Sequence, residues 1–182
     1  MVWEITAEEL LERYADGERN FAGIKLAHYG LYGFRRSKHS GLDLDGVVLR
    51  DINLRGADLR NVYLIGADLT GADLGGIFLQ SCCLEDATIR DANLFAANVT
   101  HSSFDKADLR GSILSQMNAL FGHFWDVQMG SLEDAVLIEA DFRGAHTDDG
   151  LIRRGMNLIW NTTMPSGTVI HGPQWGNGRD NR

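Results

Sequence analysis

Large apolar residues recur at every fifth position of this chain: Leu44, Leu49, Leu54, Leu59, Leu64, Leu69, Leu74, Leu79, Leu84, Ile89, Leu94, Val99, Phe104, Leu109 and Leu114. A helix repeats its face about every 3.6 residues and a strand about every 2, so neither can carry a strict period of five as a continuous run. The chain must therefore turn once in every unit. Two residues before these centres stand small side chains, at Ala57, Ala67, Ala72, Ala87, Ala92, Ala97 and Ala107, with Cys82, Ser102 and Ser112 at equivalent places. Between the two, Asp or Asn occupies 43, 53, 58, 68, 73, 93, 98 and 108, and Gly often closes the unit, as at Gly46, Gly56, Gly66, Gly71, Gly76 and Gly111. Such units can stack coil on coil. The large residues then form an inner ladder, the small ones let the walls close in, and backbone groups pair between coils about 4.8 Å apart. One unit buries almost nothing alone, so stability resides in the stack and both ends need protection.

Ala57-Asp58-Leu59-Arg60-Asn61, Ala67-Asp68-Leu69-Thr70-Gly71 and Ala72-Asp73-Leu74-Gly75-Gly76 resemble the A(D/N)LXX units of pentapeptide-repeat proteins, most of all the small cyanobacterial members. The resemblance covers 42–116 without a break and, more weakly, 19–33 and 130–144. It implies an all-β fold, a right-handed quadrilateral β-helix with four units and twenty residues per coil.

The remaining segments are placed around that core. Thr6 and Glu9 have capping-box spacing, and Leu10, Leu11 and Tyr14 make one apolar face. A capping helix is therefore expected within 1–18, covering the first coil. The solenoid is expected over 19–160. Its regular part runs from 42 to 116, with irregular stretches at 32–43, where the step from Leu31 to Leu44 breaks the period, and at 115–131, read as a bulged coil whose aromatics pack inside. The first of these carries a basic loop, Arg35, Arg36, Lys38 and His39, read as a solvated insertion. Residues 161–172 resemble the closing tail of cyanobacterial relatives, and 173–182 read as a disordered tail.

Function is constrained mainly by exclusion. The length of 182 residues and 44% hydrophobic content suit one soluble domain. No stretch approaches the roughly 18–20 apolar residues of a membrane span, and no export signal is visible, so a cytoplasmic protein is expected. The adjacent Cys82 and Cys83 cannot form a cross-linking framework and are too few for a zinc site. The net charge of −8 disfavours direct nucleic-acid binding, and residues 41–145 alone hold 16 acidic against 7 basic residues. The histidines at 28, 39, 101, 123, 146 and 171 never recur at metal-ligand spacing, and no hydrolase or phosphate-loop motif is present. A Leu-filled interior leaves no substrate cavity of about 300 Å³ or more. The expectation is a non-enzymatic module with no cofactor and no metal, a monomer that meets an unidentified protein partner.

With the twenty-residue coil that the resemblance implies, outer positions become ladders. One runs through Arg50, Thr70, Arg90 and Arg110, and another through Asp45, Ile65, Glu85 and Asp105. Candidate partner contacts are the arginines Arg50, Arg90 and Arg110, the pair Tyr63 and Ile65 on the acidic side, and Phe78 with Phe95 near a shared corner. The family resemblance adds an alternative, because some bacterial members mimic DNA, bind gyrase and modulate or protect it. The Arg ladder, the N-terminal helix and the lack of an evident C-terminal helix tell against that alternative.

Overall fold

The computed structural model describes residues 3–27, 42–130 and 132–175. The elements, in chain order, are β1 (Trp3–Ile5), α1 (Ala7–Ala15), β2 (Ile24–Leu26), β3 (Leu42–Asp43), β4 (Val62–Tyr63), β5 (Val136–Ile138), α2 (Asp149–Arg154), β6 (Leu158–Trp160), β7 (Thr162–Thr163), β8 (Val169–Ile170) and β9 (Gln174–Trp175). Most of the pairing lies outside these named strands, in single parallel bridges that join each residue before a centre to the residue twenty further on. Asp58 pairs with Phe78, Phe78 with Asn98 and Asn98 with Asn118, and three other ladders run the same way. The chain thus winds into stacked coils with four walls, named here after the inward leucines Leu44, Leu49, Leu54 and Leu59.

Each corner has a local cause. Asp or Asn before the centre accepts the N–H two residues on, as Asp73 does from Gly75 (3.0 Å) and Asn93 from Phe95 (3.0 Å), an Asx turn that aims the chain around the bend. The second residue after the centre then takes positive φ, 66° at Gly56 and 59° at Asn61, and the turn closes with a bond from Ala57 N–H to Leu54 C=O. This conformation costs Gly nothing and Asn or Asp little, which explains the polar and glycine positions of the repeat.

The inner ladders are apolar and buried. Leu44, Leu64, Leu84, Phe104, Phe124, Phe142 and Met164 line the Leu44 wall from inside, all buried. Phe104, Phe124 and Phe142 stack nearly parallel, with ring centroids 5.2 and 4.8 Å apart. Where Ser replaces Ala at the small position, its hydroxyl donates to a carbonyl of the coil below, Ser102 to Leu79 and Ser112 to Ile89, so the polar atom is satisfied inside the stack. Asn157, wholly buried near the C-terminal end, accepts from Ala135 N–H and donates to the Leu132 and Ile152 carbonyls.

Three expectations require correction. Residues 115–131 are not a bulged coil: bridges from Asn98 to Asn118, Ser103 to His123 and Asp108 to Gln128 keep the twenty-residue register through them. Ala119, Phe124 and Met129 are the buried centres there, while Leu120 and Phe121 are half-buried and Trp125 is exposed. The break falls later, where Leu132 follows Met129 after three residues and the pairing shortens to eighteen (Asn118 with Val136, His123 with Asp141). The next coil lengthens to twenty-two, Val136 pairing with Leu158, because α2 is inserted in it.

At the first coil, Lys25 pairs with Asp58 at a spacing of thirty-three while Leu42 pairs with Val62 at twenty. The extra residues therefore lie between Leu26 and Leu42, and Leu42 and Asp43, the end of the stretch 32–43, already pair in the twenty-residue register. Leu31 and the basic loop lie outside the described residues. The third correction concerns the tail, whose first residues are ordered: Gln174 and Trp175 pair antiparallel with Ile159 and Leu158, and 176–182 lie outside the described residues.

The N-terminal helix is present at Ala7–Ala15, with the Thr6 hydroxyl accepting from Glu9 N–H at 3.1 Å. Glu9 binds Arg13 through its carboxylate. Leu10 is fully buried, and the Tyr14 hydroxyl donates to the Arg50 carbonyl. The sequence reading did not foresee β1, which adds a parallel strand outside β2. At the other end β7 and β8 pair antiparallel around Pro165 and Gly167 and bury Met164.

Candidate interaction surface

Since the ladders seal the interior, chemistry is left to the four outer walls. On the Leu49 and Leu54 walls, and at the start of the Leu59 wall, arginines and aspartates neutralise one another by a rule that follows from the coil. An Arg after a centre reaches either the Asp two residues back or the Asp of the next coil, eighteen ahead. Arg60 binds Asp58 and Arg110 binds Asp108, both at 2.6 Å, while Arg50 crosses to Asp68 (2.6 Å), Arg55 to Asp73 (3.7 Å) and Arg90 to Asp108 (3.9 Å). Hydrogen bonds from Arg60 and Arg110 hold the Asp58 and Asp108 carboxyls below the usual carboxylate range. The candidate contacts Arg50, Arg90 and Arg110 are thus all engaged in ion pairs.

The Leu44 wall keeps the unneutralised acids. Asp45 and Asp105 accept the N–H of Ile65 and Trp125 one coil on, and burial raises the Asp105 pKa. Burial also pushes the half-buried Cys83 thiol up to about 11 and the buried Cys82 thiol up to about 12, so neither is a poised nucleophile. Tyr63 and Ile65 sit half-buried on this wall. Further along, the Arg143 guanidinium lies 4.6 Å over the Trp125 ring and binds Asp141 at 2.7 Å. Trp125, Asp126, Arg143 and Gly144 border an open depression of about 260 Å³. Among the described residues no group of His, Cys, Asp and Glu could hold a metal ion.

The Leu59 wall differs from the others. From Phe78 onward its outward positions are Phe78, Gln80, Asn98, Thr100, Asn118, Leu120, Val136, Ile138, Leu158 and Trp160, ending at Trp175 on β9. None is charged, in a chain with 23% charged residues. The wall grades from polar amides to apolar side chains: Leu120, Val136, Ile138 and Leu158 are half-buried, while Trp160 and Trp175 are 45% and 68% exposed. Its corner carries Phe121 stacked on His101 at 4.6 Å. A contiguous apolar patch on a rigid sheet marks an interaction surface.

The candidate contacts do not converge on one site. Tyr63 and Ile65 stand on the Leu44 wall, Arg50, Arg90 and Arg110 on the Leu49 wall and Phe95 after Leu94 on the Leu54 wall, while Phe78, 44% exposed, begins the neutral wall. Sequence reasoning missed Val136, Ile138, Leu158, Trp160 and Trp175. Their signal was available only once the shortened and lengthened coils were known, because spacings of eighteen and twenty-two hide them from a twenty-residue ladder.

The fold and walls together define a parallel β-helical repeat solenoid. Over this core the chain carries pentapeptide repeats: the model of the family Pentapeptide repeats matches in eight copies over residues 42–80 and 87–118. That family implies a right-handed β-helix. Among solved structures the chain is similar to the pentapeptide repeat protein Rfr23 of the cyanobacterium Cyanothece 51142, at 19% identity over 79% of this chain and 97% of that one, with a TM-score of 0.51. It is also similar to a pentapeptide repeat protein of the Arabidopsis thaliana thylakoid lumen, at 25% identity and a TM-score of 0.46, over 56% of this chain and only 61% of that chain. The plasmid-mediated fluoroquinolone resistance protein QnrB1 matches at 21% identity over 71% of this chain and 65% of that one, with a TM-score of 0.38. No curated protein matches. Among the described residues no helix is long and apolar enough to cross a membrane.

Proposed function

We propose that this chain is a non-enzymatic protein-interaction module of the cytoplasm that binds through the C-terminal half of its Leu59 wall. The observation that supports this reading is the run of uncharged outward residues from Phe78 to Trp160, crowned by exposed indoles. A rigid sheet face loses little conformational entropy on binding, and aromatic anchors contribute most of the energy of such contacts.

The test is affinity capture with the wild-type chain, with Trp160→Lys, and with a Phe95→Ala variant as a control on another wall. Trp160→Lys should lose the captured protein and Phe95→Ala should keep it, with unchanged far-UV circular dichroism in both. Capture that survives Trp160→Lys sinks the assignment of the wall. The DNA-mimic alternative calls for a continuous acidic surface, whereas Asp58, Asp68, Asp73, Asp108 and Asp141 are each met by an arginine. A gyrase supercoiling assay decides it: inhibition or quinolone protection at micromolar protein would reverse the choice.

A further inference from the structure

We infer that the neutral half of the Leu59 wall is where two copies of this chain meet, wall on wall, as a twofold dimer rather than the monomer first expected. The inference rests on the reading that this wall binds protein and names the partner.

Its basis is electrostatic. The chain carries a net charge of −8, so two copies repel unless they approach through a surface free of that charge. The Leu44 wall presents Asp45, Glu85 and Asp105, and the Leu49 and Leu54 walls present Arg–Asp pairs whose registers would have to interlock. Among the described residues the outward positions from Phe78 to Trp160 form the longest uncharged run, with Glu139 at its corner; on the Leu54 wall the uncharged run is shorter, from Gly75 through Asn93, Phe95 and Ile113 to Ser115. A twofold contact sets the same patch against itself, so it must be self-complementary. A flat neutral wall meets that condition without opposing like charges.

The two asparagines of the wall also tolerate being covered, although the Gln80 side-chain oxygen is already buried without a partner among the described residues. The Asn98 side-chain oxygen already accepts from Thr100 N–H and from the Thr100 hydroxyl at 2.7 Å, and the Asn118 oxygen accepts from Leu120 N–H. Covering groups that already have partners is far less costly than burying orphans. The apolar end, with Val136, Ile138, Leu158, Trp160 and Trp175, then supplies the driving area.

Sedimentation equilibrium of the purified full chain across the micromolar range tests this. The expected result is a concentration-dependent rise from 20.1 kDa toward twice that mass, persisting at raised salt because no ion pair holds the contact. Trp160→Lys, and separately Val136→Lys, should return the mass to that of the monomer with circular dichroism unchanged. As an independent measure, Asn118→Cys should form a disulfide between copies under mild oxidation, while Thr88→Cys on the Leu49 wall should not. A wild-type chain that stays at the monomer mass, a Trp160→Lys variant that dimerises normally, or equal cross-linking from both cysteines overturns the inference. Monomer mass together with wall-dependent capture would overturn the dimer and leave the interaction reading standing; capture independent of the wall would remove that reading too.

Discussion

Phe124 and Trp125 are neighbours in sequence, and the coil assigns them opposite fates, so substituting each tests the register through 115–131. Phe124 is fully buried, with Phe104 stacked on one face at 5.2 Å and Phe142 on the other at 4.8 Å. Truncating a core Phe to Ala costs about 3–5 kcal/mol, and a ring stacked on both sides belongs at the upper end of that range because the ladder cannot collapse into the void without breaking the bridges on each side. Trp125 is 40% exposed, with the Arg143 guanidinium over its ring at 4.6 Å and the His123 ring tilted against it at 5.8 Å. Its backbone N–H bond to Asp105 survives any side-chain change. Trp125→Ala should therefore cost about 1 kcal/mol. Against a total stability of about 5–15 kcal/mol, the first loss is severe and the second minor. Urea unfolding followed by far-UV circular dichroism reads the difference as a shift in midpoint, and Phe124→Leu, which keeps an apolar filler, should fall between. If Trp125→Ala lowers the midpoint as much as Phe124→Ala does, the ladder assignment is wrong and the stretch is not a regular coil.

Two further outcomes follow from the corners and the ion pairs. Gly71 has a φ of +71°, and a Cβ there would meet the carboxylate of Asp51 on the coil below, so Gly71→Ala should cost about 1–2 kcal/mol for the backbone alone; adding Asp51→Ala should recover only the steric part, and full recovery would refute the backbone argument. Asp58 and Asp108 have folded-state pKa values below the unfolded ones, so the folded chain releases these protons more readily. Their contribution is present above the ordinary carboxylate range and is lost as the pH falls through it and below. Asp105 has the opposite sign through burial, and its protonation favours the folded state. Thermal melts against pH should show Asp108→Asn with a flatter acid limb than wild type, and an unchanged limb would count against the pairing.

Much of the fold was legible because a β-helix writes its geometry into the chain at short range. The period of five names the inward residues, and Asx turns and positive-φ corners favour Asp, Asn and Gly at fixed offsets, so Leu79, Ala87 and Gly56 declare their places without reference to anything distant. Thr6 and Glu9 announced the start of α1 in the same local way. The stretch 115–131 was misread because its centres are Ala119, Phe124 and Met129 in place of Leu, and the eye follows residue type where the backbone follows hydrogen bonds.

The candidate site was far less legible. Charge pairing across walls depends on which Asp lies eighteen residues ahead of an Arg, and the apolar wall depends on coils of eighteen and twenty-two residues near the C-terminal end. Local sequence determined the repeat, its corners and its buried ladders, because those are settled within five residues by sterics and backbone bonding. Only the tertiary stack decided which residues share a wall, that Arg50, Arg90 and Arg110 are engaged by aspartates, and that Val136, Leu158 and Trp175 line up beyond Phe78. Lateral adjacency in a solenoid is set by the length of every intervening coil, and a two-residue change in one coil re-registers every wall after it.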